Sequence, residues 1–212
     1  MKSAILSLIA LLFCVAARAE EPSRDTLNPS PDKQWVYRCR DGSASILKTA
    51  TNAMALGLST ELSVPHGEDA KVIWAPDSKR FAFNYSPPHA PHSTYITTVF
   101  YELREDKWVL SPSPVDDSSE DSFARLAKHL PKGIRKPRLW NGDPTRVVLK
   151  VRKWADADTA IVFVRAWERD RPSDSEPAFF FTLKFEAEGK CKVVESKRVP
   201  NKDVENEQAE PD

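Results

Sequence analysis

The sequence predicts a mostly β fold: two similar strand-plus-hairpin units with one short helix inserted between them. Three observations predict it. Apolar residues alternate at period two over strand-length runs, turn-forming residues punctuate those runs, and one ten-residue pattern occurs twice, 80 residues apart.

Met1-Lys2-Ser3 leads into an apolar run from Ala4 to Ala17, and Ala17-Arg18-Ala19 precedes Glu20-Glu21. A basic start, a short apolar stretch and small residues at Ala17 and Ala19 form the pattern of a secretory signal, so residues 1–19 are expected to be removed and the chain to be periplasmic or secreted. The run is shorter than the roughly 20 residues a membrane span needs. Bulky Phe13 stands where a lipidation signal has a small residue, so Cys14 is read as lost with the leader. No later run approaches spanning length, and no membrane span is expected after signal cleavage.

Residues 20–33 carry three prolines, no aromatic residue and only Leu27 as a large aliphatic, and read as a flexible lead-in. Residues 34–199 read as one mostly β domain. Residues 200–212 hold five acids against Lys202, with Val204 as the single large apolar group, and read as an acidic disordered tail.

Within the domain, aromatics alternate in Arg80 to Tyr85 and apolar residues in Tyr95 to Leu103. Arg146 to Arg152, Ala160 to Trp167 and Phe179 to Phe185 are rich in Val, Ile and Phe. Ala75-Pro76-Asp77-Ser78, Arg104-Glu105-Asp106-Lys107, Asn141-Gly142-Asp143-Pro144 and the stretch Glu186 to Lys190 supply turn chemistry between them. One segment has the helical period instead: Ser118-Ser119-Glu120-Asp121 offers caps and early acids. Phe123, Leu126, Ala127 and Leu130 then recur three to four apart until Pro131-Lys132-Gly133. Thr49 to Leu58 suggests a further helical turn or two.

Composition excludes several functions. Lys plus Arg and Asp plus Glu are balanced at 31 each, which removes the basic footprint of a nucleic-acid binder, and six glycines leave little for phosphate-cradling loops. The sequence holds no Gly-x-Ser-x-Gly, His-Glu-x-x-His, Gly-x-x-x-x-Gly-Lys or Cys-x-x-Cys, so no catalytic residue and no cofactor is assigned.

The repeat pairs WAPDSKRFAF at 74–83 with WADADTAIVF at 154–163, without a gap. A polar, proline-containing loop (86–93 and 169–177) and an aromatic hairpin (Tyr95 to Leu110 and Ala178 to Val194) follow each copy. WAPDSKRFAF resembles the tryptophan-serine-proline-aspartate-glycine-lysine motif of TolB-type, WD40-like β-propeller repeats. The resemblance implies that Trp74 packs between blades and that Pro76, Asp77 and Ser78 form the turn, with Ser78 where the family has Gly. The second copy lacks the Pro. With two blade-like units legible, the architecture implied is incomplete or divergent propeller-like, not a regular closed propeller. By their place in the repeat, Trp74 and Trp154 are expected to fill equivalent packing positions.

Cys39 and Cys191 are expected to form a disulfide tying the first strand of the domain to the last, because alternation turns both inward and an oxidising compartment favours pairing. Two buried thiols packing as small hydrophobes are the alternative. His89 and His92, three apart in Pro87-Pro88-His89-Ala90-Pro91-His92, are the weak candidates for metal ligands; a tight site needs a third ligand, and the loop otherwise reads as an exposed tip. His66 and His129 have no partner by sequence. Lys128, Lys132, Arg135, Lys136 and Arg138 read as a solvated basic loop. Trp35, Trp108 and Trp140 are the tryptophans left for exposure. The reading is a non-catalytic binding or scaffold module contacting another envelope or secreted protein, with a loop face formed by residues 86–93 and 169–177 as the contact surface. The alternatives are a metal-assisted hydrolase using His89 and His92, or a secreted inhibitor of a wall-degrading enzyme.

Overall fold

The turns organise the chain before the core does. In the computed structural model, which describes residues 26–59, 70–87, 95–115, 120–137, 140, 146–167, 176–186 and 189–208, most successive strands are joined by tight hairpins. Asp41 and Gly42 have φ of 50° and 76°, and Glu105 and Asp106 have 47° and 62°. Two consecutive left-handed residues make the primed turn whose twist matches that of antiparallel strands. Glycine adopts this conformation freely; Glu105 and Asp106 do so at a cost.

Among the described residues, twelve strands form three four-stranded antiparallel sheets, each a simple meander. The first holds β1 (Thr26–Pro29), β2 (Trp35–Arg40), β3 (Ser43–Lys48) and β4 (Ala53–Leu56). The second holds β5 (Lys71–Trp74), β6 (Arg80–Tyr85), β7 (Thr97–Arg104) and β8 (Lys107–Ser111). The third holds β9 (Arg146–Asp156), β10 (Thr159–Trp167), β11 (Phe179–Phe185) and β12 (Cys191–Arg198). Helix α1 (Glu120–Ala127) lies between the second and third sheets, and a 3-10 turn (Asn201–Asp203) with helix α2 (Val204–Gln208) follows the third. None of the helices among the described residues is long and apolar enough to cross a membrane.

Period-two alternation gives the second sheet two apolar faces, and each finds a neighbour. Val72, Phe81, Phe83, Tyr85, Val99, Tyr101 and Trp108 pack on Trp35, Tyr37, Cys39 and Ile46 of the first sheet. Ala75, Ala82 and Phe100 point the other way, into Val147, Leu149, Val151, Val162 and Phe181 of the third, where Phe123 and Leu126 of α1 and Trp140 join them. The sheets are therefore stacked in chain order with the second in the middle. Aromatic edges seal both seams: Trp35 meets Trp108 at 5.4 Å between ring centroids, and Phe100 meets Trp154 at 6.0 Å.

The stacking repeats atom for atom. Trp74 Nε1 donates to the carbonyl of Asn28 in β1 at 3.1 Å, and Trp154 Nε1 donates to the carbonyl of Ile73 in β5 at 2.9 Å. Asn28 precedes Pro29, Ile73 precedes Trp74, and Pro29, Trp74 and Trp154 each sit near the end of the first strand of a sheet. Each indole thus bonds the residue just before the corresponding position of the preceding sheet. The turn after the first strand repeats as well. Ser30 N–H donates to Trp35 O and Lys33 N–H to Ser30 O, both at 2.9 Å; Ala75 N–H donates to Arg80 O at 2.9 Å and Ser78 N–H to Ala75 O at 3.0 Å. Asp32 and Asp77 each accept a backbone N–H two residues on, from Gln34 and Lys79, both at 3.0 Å. Lys33 and Ser78 share the left-handed conformation, at φ of 61° and 59°.

Several sequence expectations are corrected here. Three four-stranded units are present, not two; the first was hidden because Pro29 occupies its tryptophan position. Thr26–Pro29 of the expected lead-in 20–33 is strand β1, paired with β2, and Ser30 is buried. Thr49 to Leu58 forms no helix over its first eight residues: Asn52 takes a positive φ of 55° in a turn, and Ala53–Leu56 is β4. The described part of the expected acidic disordered tail is ordered as helical turns, because Val204 buries itself against Phe163 and Trp167. Trp35, Trp108 and Trp140 are all buried, in the seams between layers.

Two stability outcomes follow. Replacing Glu105 by Asn together with Asp106 by Gly relieves two strained left-handed residues and is expected to raise stability by about 1 kcal/mol, read as a higher urea midpoint; an unchanged or lower midpoint contradicts the turn assignment. Trp154→Ala is expected to cost about 3–5 kcal/mol and Trp154→Phe, which keeps the ring and loses the N–H, a smaller share of about 1–2 kcal/mol. A Trp154→Phe variant as stable as the wild type would show that the hydrogen bond to Ile73 contributes nothing.

Candidate functional site

Stacking uses one face of the third sheet and leaves the other pointing away from its neighbours. Along β10, Ala160, Val162, Val164 and Ala166 turn inward, while Ile161, Phe163, Arg165 and Trp167 turn outward. The strand register arranges the outward residues in rows across all four strands. One row reads Lys153, Ile161, Thr182, Glu195 from β9 to β12; the next reads Lys150, Phe163, Phe180, Lys197. Register shifts between Ile161 and Val162, where Arg152 bulges from β9, and between Thr182 and Leu183 bend the sheet at the first row.

A cleft of about 430 Å³ lies over these rows, lined by Arg152, Lys153, Ile161, Phe180, Thr182, Glu195 and Lys197. This volume falls within the range of ligand-binding clefts. Its floor is apolar at Ile161 and Phe180, and its rim carries three cations against one carboxylate. Val199 and Val204 cover the far part of the same face, packed on Val148, Phe163 and Trp167. α2 thus caps one end of the outward face, and the cleft is the part that remains open.

The cations of this face differ in how they are held. Lys150 and Arg165 are buried, and the Arg165 guanidinium lies over the Trp167 ring at 4.8 Å. Lys184 is engaged by Asp158, with Asp156 at 3.9 Å, and the hydrogen bond to Asp158 raises its pKa. The Asp158 N–H, donating to Asp156 at 2.9 Å, is the first of the hydrogen bonds that hold the Asp156 carboxyl down at about 2. Lys153 and Lys197 are exposed and form no ion pair among the described residues.

The sequence did not single out this face. The signal it carries is the placing of Lys150 and Arg152 at alternate positions within the otherwise apolar run Arg146 to Arg152, which marks a strand with only one core-facing side.

The residues the sequence did single out lie elsewhere. Trp74 and Trp154 belong to the two seams. His89 and His92, with His66, fall outside the described residues, as do most of the loops 86–93 and 169–177. His129 is exposed beyond α1, and its backbone carbonyl accepts a hydrogen bond from Ser196. No group of three metal-ligating side chains occurs among the described residues. Lys128, Lys132 and Arg135 are exposed.

The expected disulfide is not formed. Cys39 is buried in the seam between the first and second sheets, whereas Cys191 packs against the seam between the second and third. The second sheet stands between them, so alternation turned both inward but toward different interiors. Burial pushes the Cys191 thiol up to about 12, leaving it protonated and unreactive at neutral pH.

No protein-family model matches the chain, and no curated protein matches it significantly. Solved structures give distant likenesses. A chain from a study of two prolyl endopeptidases is 15% identical with a TM-score of 0.42, covering 79% of this chain and 21% of that one. Kluyveromyces lactis Hsv2 is 10% identical with a TM-score of 0.35, covering 85% of this chain and 48% of that one. The chain therefore spans about a fifth and about half of the proteins it is similar to.

Alkylation of denatured, unreduced protein followed by peptide mapping is expected to find both Cys39 and Cys191 modified, and Cys191 protected while the protein is folded. A disulfide-linked Cys39–Cys191 peptide would contradict the stacking order.

Proposed function

We propose that the chain is an exported, non-catalytic binding module whose three sheets form an incomplete, propeller-like arc, and that it holds another envelope or secreted protein on the outer face of the third sheet. The carrying observation is the cleft on that face. It lies on the side of a blade-like sheet against which a following blade would stack, but Arg152, Lys153 and Lys197 rim it. The corresponding face of the second sheet presents Ala75, Ala82 and Phe100, with Asn84 as a buried polar group. A further apolar blade on the third sheet would bury the exposed ammonium groups of Lys153 and Lys197 against apolar side chains, which costs several kcal/mol each by order of magnitude. The face suits a ligand better than a continuation of the stack.

The resemblance of WAPDSKRFAF to TolB-type repeats supports an envelope interaction, since such repeats build scaffolds whose surfaces bind. The leader-like residues 1–19 support export. An inhibitor of a wall-degrading enzyme is a special case of the same module, distinguished by loss of that enzyme's activity on binding.

Photo-cross-linking in the native cells tests the reading. A benzophenone side chain at Thr182 is expected to trap one partner protein, and the adduct is expected to vanish when Lys153 and Lys197 are changed to Glu. The same group at Met54, exposed on the first sheet, is expected to trap none. Adducts from position 54 alone, or from neither position, would overturn the assignment of the face.

A further inference from the structure

The rows of the outward face place charge at defined corners. Lys153 and Glu195 sit at opposite ends of one row, on β9 and β12, and Lys197 sits on β12 in the next row. Three strand spacings and one step of two residues separate Lys153 from Lys197, about 16 Å along a diagonal. Between them lies the apolar floor of Ile161 and Phe180, with the Thr182 hydroxyl beside it. Glu195 stands off the diagonal and repels an anion from its corner, and the corner opposite it is the buried Lys150.

We infer that the cleft recognises an extended acidic peptide segment of the partner, with one carboxylate at Lys153, a second at Lys197 and an apolar side chain between them on Ile161 and Phe180. This rests on the assignment of the cleft as the binding face. An extended chain advances about 3.4 Å per residue and turns residues i, i+2 and i+4 to one side. Acids at i and i+4 are then about 14 Å apart, within side-chain reach of both ends of the diagonal, with the residue at i+2 above the floor. Charge complementarity selects the occupant. A second copy is disfavoured, because the outward face of the first sheet offers Leu27, Val36, Arg38 and Met54, apolar side chains and a further cation in place of acids. The chain's own Glu205 on α2 is exposed, at the capped end of the face.

The probe is a fluorescein-labelled peptide with the core Glu-Thr-Leu-Thr-Glu, measured by fluorescence anisotropy against the full chain. It is expected to bind, to weaken as salt rises, and to lose about tenfold in affinity with Lys153→Glu or Lys197→Glu. Lys-Thr-Leu-Thr-Lys is expected not to bind the wild-type chain. Because either substitution can perturb the fold, a charge swap supplies the decisive control: the peptide Glu-Thr-Leu-Thr-Lys is expected to bind Lys197→Glu better than it binds the wild-type chain.

Equal binding of the acidic and basic peptides, or failure of the swap, would overturn the inference. So would binding to heparin or to phosphatidylglycerol vesicles that depends on the same two lysines while the acidic peptide does not bind. If cross-linking at Thr182 traps a lysine-dependent partner and the peptide fails, the acidic class is wrong and the binding face stands; if both fail, the face itself is wrong.

Discussion

An indole N–H handed to the carbonyl of the preceding sheet is the interaction on which the rest of the structure depends. It occurs at Trp74 toward Asn28 and again at Trp154 toward Ile73. A four-stranded meander with four- to eleven-residue strands carries apolar faces that must be buried against another layer. Stacking solves this by giving each apolar face a neighbour, but apolar contact is non-directional and would tolerate sliding. The indole supplies both terms. Its ring fills the seam, and its N–H accepts only a position that reaches one particular carbonyl.

Polar clamps add to that fixed offset. Asn84, buried on β6, donates to Val151 O at 2.9 Å and accepts from Val151 N–H at 3.0 Å, so one side chain grips the backbone of the next sheet from both sides. The Asp32 N–H donates to Ser78 Oγ at 3.0 Å, linking the first turn to the second. Arg80 holds Glu102 at 2.7 Å and reaches Ala157 O at 3.3 Å, linking the second sheet to the turn of the third. Ile96 makes a parallel bridge to Val148, with Leu149 N–H donating to Ile96 O at 2.9 Å. Buried groups gripped in this way leave no alternative register in which all of them are satisfied. The result is a stack secured at each seam, which accounts for a chain held without a covalent clasp between its first and last sheets.

Much of this was legible in the residues, and the remainder was hidden for physical reasons. Alternation in Arg80 to Tyr85, Ala160 to Trp167 and Phe179 to Phe185 marks strands directly, and the amphipathic period of Phe123 and Leu126 marks α1. The first sheet escaped because its markers are weak: Pro29 replaces the tryptophan, and the Pro31-Asp32 turn lies in a polar, proline-rich stretch whose composition matches a disordered lead-in. Cys39 and Cys191 misled because alternation reports that a side chain faces an interior without saying which one, and a stack of three sheets has two. The candidate cleft escaped more completely. Its residues come from four strands between 152 and 197, and only the register, which is a tertiary property, sets Lys153, Ile161, Thr182 and Glu195 side by side.

Hydrogen exchange of the tryptophan indole protons, followed by NMR at neutral pH, tests the stacking claim most directly. The account predicts that the Trp154 indole, buried and bonded to Ile73, exchanges only when the stack opens, and slows or quickens in step with global stability as urea is added. The Trp74 indole, bonded to Asn28 at the other seam, is predicted to be protected in the same way though less strongly, because its ring is partly exposed. Exchange of the Trp154 indole proton at the rate of an unfolded chain, under conditions where the backbone amides of β9 and β10 remain protected, would contradict it.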